Sequence, residues 1–356
     1  MKIEYWDESK LGNIETLSDH RSIKIGEFEN CIIDGKSLTY PDPLVRSGSE
    51  LLLPTIERFM SLGMNSVYDD TMEYDVSNLR RRVLKEDTPV FYFAYNCANY
   101  FHWLYDTVPY LYCFFKIKKK IPNIKLLMSS PRGEDDLYPF VYETLELLGI
   151  DKDDIFRLRD DIVYNKLFIG SSLTHNRMSL DPPHPALYNL INSMNGSDSD
   201  LEKIYVSRRT WTKEKNKNIG TDYTQERMCV NEDEVVDLFK DNGFEEVFCE
   251  DLSMKDKIGM FRNAKVVAGP IGGGMSNCLF CKPTTKVISI NSPDFFVINK
   301  RLGYALSHTN LHMFDDTEFV KKGKQIFNDN SLSVSGGLNS PWKVNRNRLK
   351  IIIKKV

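Results

Sequence analysis

Short apolar stretches alternate with helical patterns through the second half of this 356-residue chain, and this alternation limits its fold more than any other feature. Apolar strands separated by helices indicate a parallel sheet that is covered on both faces. The predicted strands are 204–207, 246–249, 265–269, 286–290 and 311–314. A capping box of Asn231 and Glu234 is predicted to open the first helix between them. Residues 201–335 are therefore predicted to form a Rossmann-like domain.

The first half of the chain shows the same alternation less clearly. Its first 85 residues hold short extended pieces without a clear period, and regular strands and helices are predicted only from Pro89 onward. The small, polar run 195–200 is predicted to be a linker. The sequence thus predicts an α/β fold with two Rossmann-like domains facing a cleft, 1–195 and 201–335, and a basic tail, 336–356. Ligands of such sheets bind beyond the carboxyl ends of the strands.

The composition disfavours several classes of protein. The 47 Lys and Arg residues nearly balance the 50 Asp and Glu residues, which argues against a dedicated nucleic-acid binder. No apolar run approaches the roughly 20 residues that span a membrane, and the first residues lack the apolar core of a secretion signal. Seven irregularly spaced cysteines favour a reducing compartment, so a cytoplasmic protein is expected. The lone pair Cys278 and Cys281 is interpreted as two small buried side chains near a helix end.

A predicted strand runs directly into three consecutive glycines, Gly272, Gly273 and Gly274. Glycine lets the backbone approach a ligand closely, and N–H groups at the start of a helix favour a phosphate. The spacing fits neither the dinucleotide-binding motif nor the P-loop, which disfavours a Rossmann-type oxidoreductase. The loop is interpreted as a ligand site, with a tight strand-to-helix turn as the alternative.

A basic cluster follows the predicted linker. Between residues 203 and 218 there are six Lys or Arg residues and one acidic residue. Arg208 and Arg209 come directly after a predicted strand, where an α/β sheet presents its ligands. Because arginine offers a planar fork to phosphate groups, one of the two is expected to contact an anionic ligand.

His102 and Asp106 are four residues apart in a predicted helix. A carboxylate beside an imidazole can orient or tune a general base, but the same pair can also be a structural hydrogen bond. Pro109 has no N–H group, so it is expected to kink or end this helix near Tyr105.

The tail ends with five positive side chains, no acidic residue and an apolar run within 345–356. Such a segment can lie on an anionic membrane surface, which would make the protein peripheral at the inner face of the membrane. The alternative is a terminal helix or strand that docks on a domain.

Five segments, in the same order along the chain, resemble glycosyltransferase family 61, whose bacterial members include capsule and lipopolysaccharide enzymes. Residues 99–109 resemble its His-Trp-Leu segment, and 205–208 resemble its strand that ends in Ser-Arg. The other similar segments are 227–232, 250–253 and the glycine loop 269–280. The loop departs from the family pattern at Ile271, where the family often has His, and at Gly273, where it has Ala.

The resemblance implies a GT-B fold, an inverting mechanism and a nucleotide-sugar donor held by the second domain. It implies Asp106 as the first choice of catalytic base, with His102 positioning or sharing the proton. The donor-binding residues that it implies are Arg208, Arg209, Arg227, Asn231, Glu250, Gly272, Gly273, Gly274, Ser276 and Asn277. No metal and no cofactor are expected.

The expected donor is a UDP-sugar, with GlcNAc or xylose favoured, and the expected acceptor is a hydroxyl group of a cell-surface glycan precursor. The alternative is a non-catalytic glycan- or nucleotide-binding protein with a degenerate transferase site. Ile271 in place of the family's histidine is the best support for that alternative.

Overall fold

The computed structural model describes residues 23–34, 44–47, 50–51, 84–95, 97–131, 135–159, 162–174, 183–209, 228–293, 311–320 and 340–355. The strands in chain order are β1 (Ile25–Phe28), β2 (Cys31–Asp34), β3 (Leu44–Ser47), β4 (Glu50–Leu51), β5 (Leu84–Glu86), β6 (Val90–Tyr92), β7 (Lys125–Met128), β8 (Ile155–Arg157), β9 (Ile162–Tyr164), β10 (Leu167–Gly170), β11 (Lys203–Val206), β12 (Glu245–Val247), β13 (Val266–Pro270), β14 (Lys286–Ile290), β15 (Leu311–Phe314), β16 (Thr317–Phe319) and β17 (Trp342–Val344). The α-helices are α1 (Tyr100–His102), α2 (Leu111–Lys118), α3 (Pro139–Leu147), α4 (Ala186–Asn192), α5 (Glu232–Lys240), α6 (Met254–Asn263) and α7 (Arg346–Ile353).

The sheet of the second half is parallel throughout its described strands, in the order β12-β11-β13-β14-β15. Each of its strands was predicted from the sequence. The central strands β11, β13 and β14 are largely apolar runs, as expected for strands buried on both faces, whereas the edge strands β12 and β15 are more exposed. After β11, the next strand in the chain, β12, pairs with one side of β11, and the strand after that, β13, pairs with the other side. In open α/β sheets, ligands bind in the crevice at such a switch point, beyond the carboxyl ends of the strands. Arg208 and the glycine loop lie there, after β11 and β13 respectively.

The sheet of the first half has the order β1-β10-β6-β7-β8, in which only β1 runs antiparallel to its neighbour. Its switch point lies between β6 and β10, so the segment that carries His102 and Asp106 leaves the sheet at this crevice. A further sheet, β4-β3-β2-β9-β5, is built largely from the region predicted to be irregular. The described parts of that region, 23–34, 44–47 and 50–51, are therefore more regular than the sequence indicates.

The two halves pack tightly against each other. One cluster of buried apolar side chains includes Phe91 and Leu126 of the first sheet together with Val267 of the second sheet and Met254 of α6. At the start of α6, the Met254 N–H donates to a carboxylate oxygen of Glu143 at 2.6 Å. The predicted α/β fold with parallel sheets is confirmed, whereas the division into two Rossmann-like domains facing a cleft stays a prediction.

The predicted linker is packed against α6. The Ser197 N–H donates to the Lys255 carbonyl at 3.0 Å, and the Ser197 hydroxyl donates to Asp256 at 2.8 Å. Gly196 and Gly259 pack backbone to backbone, so closely that a methyl group on either one would overlap the other segment. The linker therefore contributes to the contact between the two halves.

The basic tail is docked on the protein. Its strand β17 pairs with β16, and Leu349 and Ile353 of α7 are buried with apolar side chains of α5. Two of the apolar residues that the sequence offered to a membrane, Leu349 and Ile353, are therefore occupied in packing. Within the described parts of the chain, no helix has the length and apolar character needed to cross a membrane.

Asn231 precedes α5, as predicted, but the predicted capping box is wrong. The Asn231 side chain makes no capping hydrogen bond. Its amide group donates to the Val344 carbonyl at 3.0 Å and accepts from the Val344 N–H at 2.9 Å. Because both functions of the carboxamide are used by β17, Asn231 fastens the tail to the helix.

Leu349→Ala is expected to lower the free energy of unfolding by about 2–4 kcal/mol, because it removes a buried side chain and leaves a cavity. Urea denaturation followed by circular dichroism measures the change. The matched control is Ile351→Ala on the same helix, where the side chain is 49% exposed and a change within about 0.5 kcal/mol is expected. Equal effects of the two substitutions would show that the tail does not dock.

Candidate active site

The helical segment 100–118 changes its hydrogen-bonding type along its length. Asn99 caps its start by accepting from the backbone N–H groups of Phe101 and His102. A π-helical turn, Trp103–Thr107, and a 3₁₀ turn, Val108–Tyr110, follow before α2. The predicted kink at Pro109 is thus a change of helix type. Wide π turns occur often at functional sites.

Pro109 explains part of this distortion. It has no N–H group with which to bond the carbonyl of Tyr105, four residues before it. That carbonyl instead accepts the hydroxyl of Thr174 at 2.7 Å. Because Thr174 follows β10, this bond fixes the distorted turn to the neighbouring strand of the sheet.

The imidazole of His102 and the carboxylate of Asp106 form a hydrogen bond, with 2.6 Å between Nδ1 and Oδ2. Asp106 is 6% exposed and His102 is 21% exposed, so the imidazole is the more accessible partner. An ionised carboxylate only accepts, so Nδ1 carries the proton in this pair. In a neutral ring the basic lone pair is then on Nε2. The arrangement can therefore present an oriented general base.

Tyr100 connects this segment to the glycine loop. Its hydroxyl donates to Oδ1 of Asn277 at 2.6 Å, and the sulfur of Met254 lies 3.1 Å away. Burial raises the pKa of Tyr100 well above its usual value, so the phenol keeps the proton that it donates. His102 is only two residues further along, which places its Cα within about 7 Å of the Tyr100 Cα.

The glycine loop passes close to other parts of the second sheet. A Cβ at Gly274 would lie 2.7 Å from Cγ1 of Val206, and one at Gly272 would lie 3.3 Å from the guanidinium of Arg208. The N–H groups of Gly272 and Gly273 donate to no acceptor among the described residues. The loop continues into a 3₁₀ helix, Gly274–Phe280. Gly272 and Gly274 thus allow close packing against Arg208 and Val206, and the N–H groups of Gly272 and Gly273 are the part of the loop that can bind an anion.

Arg208 is held at this loop by backbone and carboxylate groups. Its Nη1 donates to the Ile271 carbonyl at 3.0 Å. Burial lowers the pKa of Arg208, and the nearby charges of Glu232 and Glu250 oppose that shift. Glu250, in the 3₁₀ turn Cys249–Asp251 after β12, therefore acts on Arg208 through its charge.

Glu232 ends the segment 227–232 that resembles the family, but it is not among the donor-binding residues that the resemblance implies. Its carboxylate accepts the Arg208 N–H at 2.8 Å and the Tyr205 hydroxyl at 3.3 Å. Burial raises the pKa of Glu232, whereas the bonds and charge of Arg208 lower it. The sequence does not indicate the contact with Arg208, because an acidic residue at the start of a helix is also explained by capping.

Arg209 has a different set of partners from Arg208. Its Nε donates to Glu246 at 2.8 Å, and its Nη1 donates to Asp233 at 2.7 Å. Lys240 adds an ion pair to Glu246 at 3.0 Å. The described contacts of Arg209 are thus those of an ion-pair network, and the phosphate-binding hypothesis rests on Arg208.

Glu246→Gln is expected to lower the free energy of unfolding by about 1–2 kcal/mol at pH 7, because hydrogen bonds to a charged group are lost. Burial opposes ionisation of Glu246, but bonds from Arg209, Lys240 and Ser207 outweigh it and lower its pKa. The stabilisation is therefore present above the unfolded-state pKa of about 4.3 and is lost as the pH falls through the folded-state pKa. Thermal unfolding at pH 7 and at pH 4 measures this difference. The control, Glu245→Gln at the neighbouring exposed position, should change little at either pH.

The other predicted site residues have the following places. Ser276 donates its hydroxyl to the Gly273 carbonyl at 2.5 Å, and Asn277 donates to the Gly274 carbonyl at 3.0 Å, so both support the loop from inside the protein. Asn231 is bound to the tail, and Arg227 lies outside the described residues. The structure thus brings Arg208, Glu250 and the three glycines together, and it leaves Arg209 and Asn231 in other contacts.

All seven cysteines are free thiols. Cys278 is buried, as predicted, whereas Cys281 is only half-buried, so the interpretation of the pair holds in part. In the part of the chain that the structure describes, His, Cys, Asp and Glu side chains form no group of three or more that could hold a metal ion.

Comparison with protein families shows which family of proteins shares the segments that form this site. A family model described as Glycosyltransferase 61 matches residues 100–288, which is more than half of the chain. The matched region begins at Tyr100, includes the His102–Asp106 pair and the glycine loop, and ends within β14. The protein is therefore a glycosyltransferase. It belongs to glycosyltransferase family 61. A sequence comparison with curated proteins finds no match.

Proposed function

We propose that the protein is a metal-independent, inverting glycosyltransferase of the GT-B type that moves a sugar from a UDP-sugar to a hydroxyl group of a cell-surface glycan precursor. One observation carries the proposal. The Tyr100–Asn277 hydrogen bond joins the segment of the imidazole–carboxylate pair to the glycine loop that Arg208 borders. A base and an anion-binding loop thus lie on neighbouring segments, as a transfer from a phosphorylated donor requires.

The donor diphosphate is assigned to the crevice between β11 and β13. Arg208 supplies a guanidinium there, and Gly272 and Gly273 supply N–H groups that have no acceptor among the described residues. These groups stabilise the charge that develops on the leaving diphosphate, a role that a metal ion has in other transferases. The uridine nucleotide, and GlcNAc or xylose as the sugar, follow from the family resemblance.

The reaction is proposed to be a single displacement at the anomeric carbon. The acceptor oxygen forms a bond to this carbon as the bond to the diphosphate oxygen breaks, and UDP leaves with that electron pair. The acceptor proton passes to Nε2 of His102, while Asp106 holds Nδ1–H and stabilises the imidazolium. We therefore propose His102 as the base, in place of Asp106, which was the first choice from the sequence.

Ile271 bears on the alternative of a non-catalytic protein. Its side chain is 1% exposed, and its backbone carbonyl, which any residue would provide, contacts Arg208. The contact between the loop and Arg208 thus does not depend on which side chain stands at position 271. The loss of the family's histidine is therefore compatible with catalysis.

A panel of nucleotides and nucleotide sugars tests the function. UDP-GlcNAc, UDP-xylose and UDP are expected to raise the melting temperature in the presence of EDTA, more than GDP- or CMP-sugars do. Proton NMR of the transferred sugar is expected to show an inverted anomeric configuration. Binding of UDP-sugars without transfer to any acceptor would favour the non-catalytic alternative, and the absence of stabilisation by any nucleotide would refute both.

A further inference from the structure

Lys257, on α6, is a buried cation that the proposed mechanism does not yet use. The residue is 3% exposed, and its Nζ lies 4.8 Å from the centre of the Tyr100 ring. No acceptor in the described ranges takes a hydrogen bond from this ammonium group. Burial lowers the pKa of Lys257, while the negative charges of Glu143 and Glu250 oppose that effect. A buried ammonium without an acceptor is unfavourable, so its retention points to a partner that arrives from outside.

The surroundings of Lys257 place it beside the glycine loop. Tyr100, whose ring it contacts, lies 3.9 Å from the position that a Cβ of Gly273 would take. The sulfur of Cys249, a residue close enough to Lys257 to interact with it electrostatically, lies 3.6 Å from the corresponding position at Gly274. Arg208 borders the same glycine run at Gly272. Two cations therefore flank the three glycines, one from β11 and one from α6.

We propose that Lys257 is a second cation for the donor diphosphate, with its ammonium group bonding to a phosphate oxygen when the donor is bound. This inference rests on the proposed function. A nucleoside diphosphate carries more negative charge than one guanidinium neutralises, and an ammonium group acts as a compact point charge on phosphate. The carboxylates of Glu143 and Glu250 hold the cation in place through their charge in the absence of ligand.

Lys257→Met tests the proposal, with Lys255→Met as the matched control on the exposed side of the same helix. Calorimetric titration with uridine, UMP and UDP is expected to show a 10- to 100-fold weaker affinity of the Lys257→Met protein for UDP and an unchanged affinity for uridine. The melting temperature of this variant without ligand is expected to equal or exceed that of the wild type, because an unpaired buried charge is removed. Lys255→Met should match the wild type in both measurements.

Three results would overturn the inference. An unchanged affinity for UDP in Lys257→Met would show that the ammonium does not contact the diphosphate, while leaving the proposed function intact. Lower melting temperatures of both Lys257→Met and Lys257→Gln would show a structural ion pair if the variants bind UDP normally. Loss of the fold in both variants would lead to the same conclusion. A wild-type protein that binds no nucleotide would refute the proposed function and this inference together.

Discussion

His102→Ala is expected to lower kcat by about two to four orders of magnitude and to leave the affinity for UDP close to that of the wild type. The loss follows from removal of the base that takes the acceptor proton, and this is the usual contribution of a positioned base. UDP affinity is retained because neither His102 nor Asp106 contacts the leaving diphosphate in the proposed mechanism. Steady-state kinetics with the donor that the nucleotide-sugar panel identifies measures kcat, and calorimetric titration of UDP measures the affinity. His312→Ala, at an exposed histidine on β15, is the control.

Asp106→Asn separates the two candidates for the base. An asparagine amide can donate to Nδ1, which would place the ring proton on Nε2 and remove the basic lone pair from the acceptor side. If His102 is the base, both substitutions lower kcat, and added imidazole restores part of the activity of His102→Ala. If His102→Ala is active and Asp106→Asn is inactive, Asp106 is the base.

Arg208→Lys is expected to weaken UDP binding by about 10- to 100-fold, because the planar fork is replaced by a point charge and bonds to a charged group are lost. Lysine keeps the positive charge beside Glu232, so the variant is expected to stay folded. Calorimetric titration of UDP measures the effect, and Arg209→Lys is the neighbouring control. Arg209→Lys is expected to lower the melting temperature through its bonds to Glu246 while leaving UDP affinity unchanged. Equal losses of affinity in the two proteins would contradict the distinction between these arginines.

The parallel sheet of the second half was predictable because the sequence pattern that indicates each strand lies within a few consecutive residues. Its central strands β11, β13 and β14 are short, largely apolar runs, and helix patterns between the strands fix the parallel direction. The sheet that includes β2 and β3 was missed because β2 pairs with β9, more than 120 residues later, and nothing in a short window encodes that partner. The capping box at Asn231 failed for a similar reason, since β17 competes for the same carboxamide.

The site was predictable to the extent that it depends on neighbours in the chain. The spacing of four residues between His102 and Asp106 predicts their contact, and the structure has it. Tyr100 and Lys257 were missed because a tyrosine in an apolar stripe and a lysine in a polar helix have ordinary interpretations. Their significance comes from packing between the two halves. Arg208 and Arg209 are adjacent, and only the structure shows which of them borders the glycine loop.

The hydrogen bond between Tyr100 and Asn277 has a consequence for synthesis of the chain. Its partners are 177 residues apart, so the ribosome adds Asn277 roughly 10 to 35 seconds after Tyr100. During that interval the nascent chain contains the His102–Asp106 pair, which is local, but lacks α6 and the glycine loop that cover its flank. The Tyr100 ring can already pack on Phe140, its neighbour at 5.2 Å, but its hydroxyl has no acceptor until Asn277 is synthesised. The contact that joins the His102 segment to the glycine loop can therefore form only after about three quarters of the chain has been made.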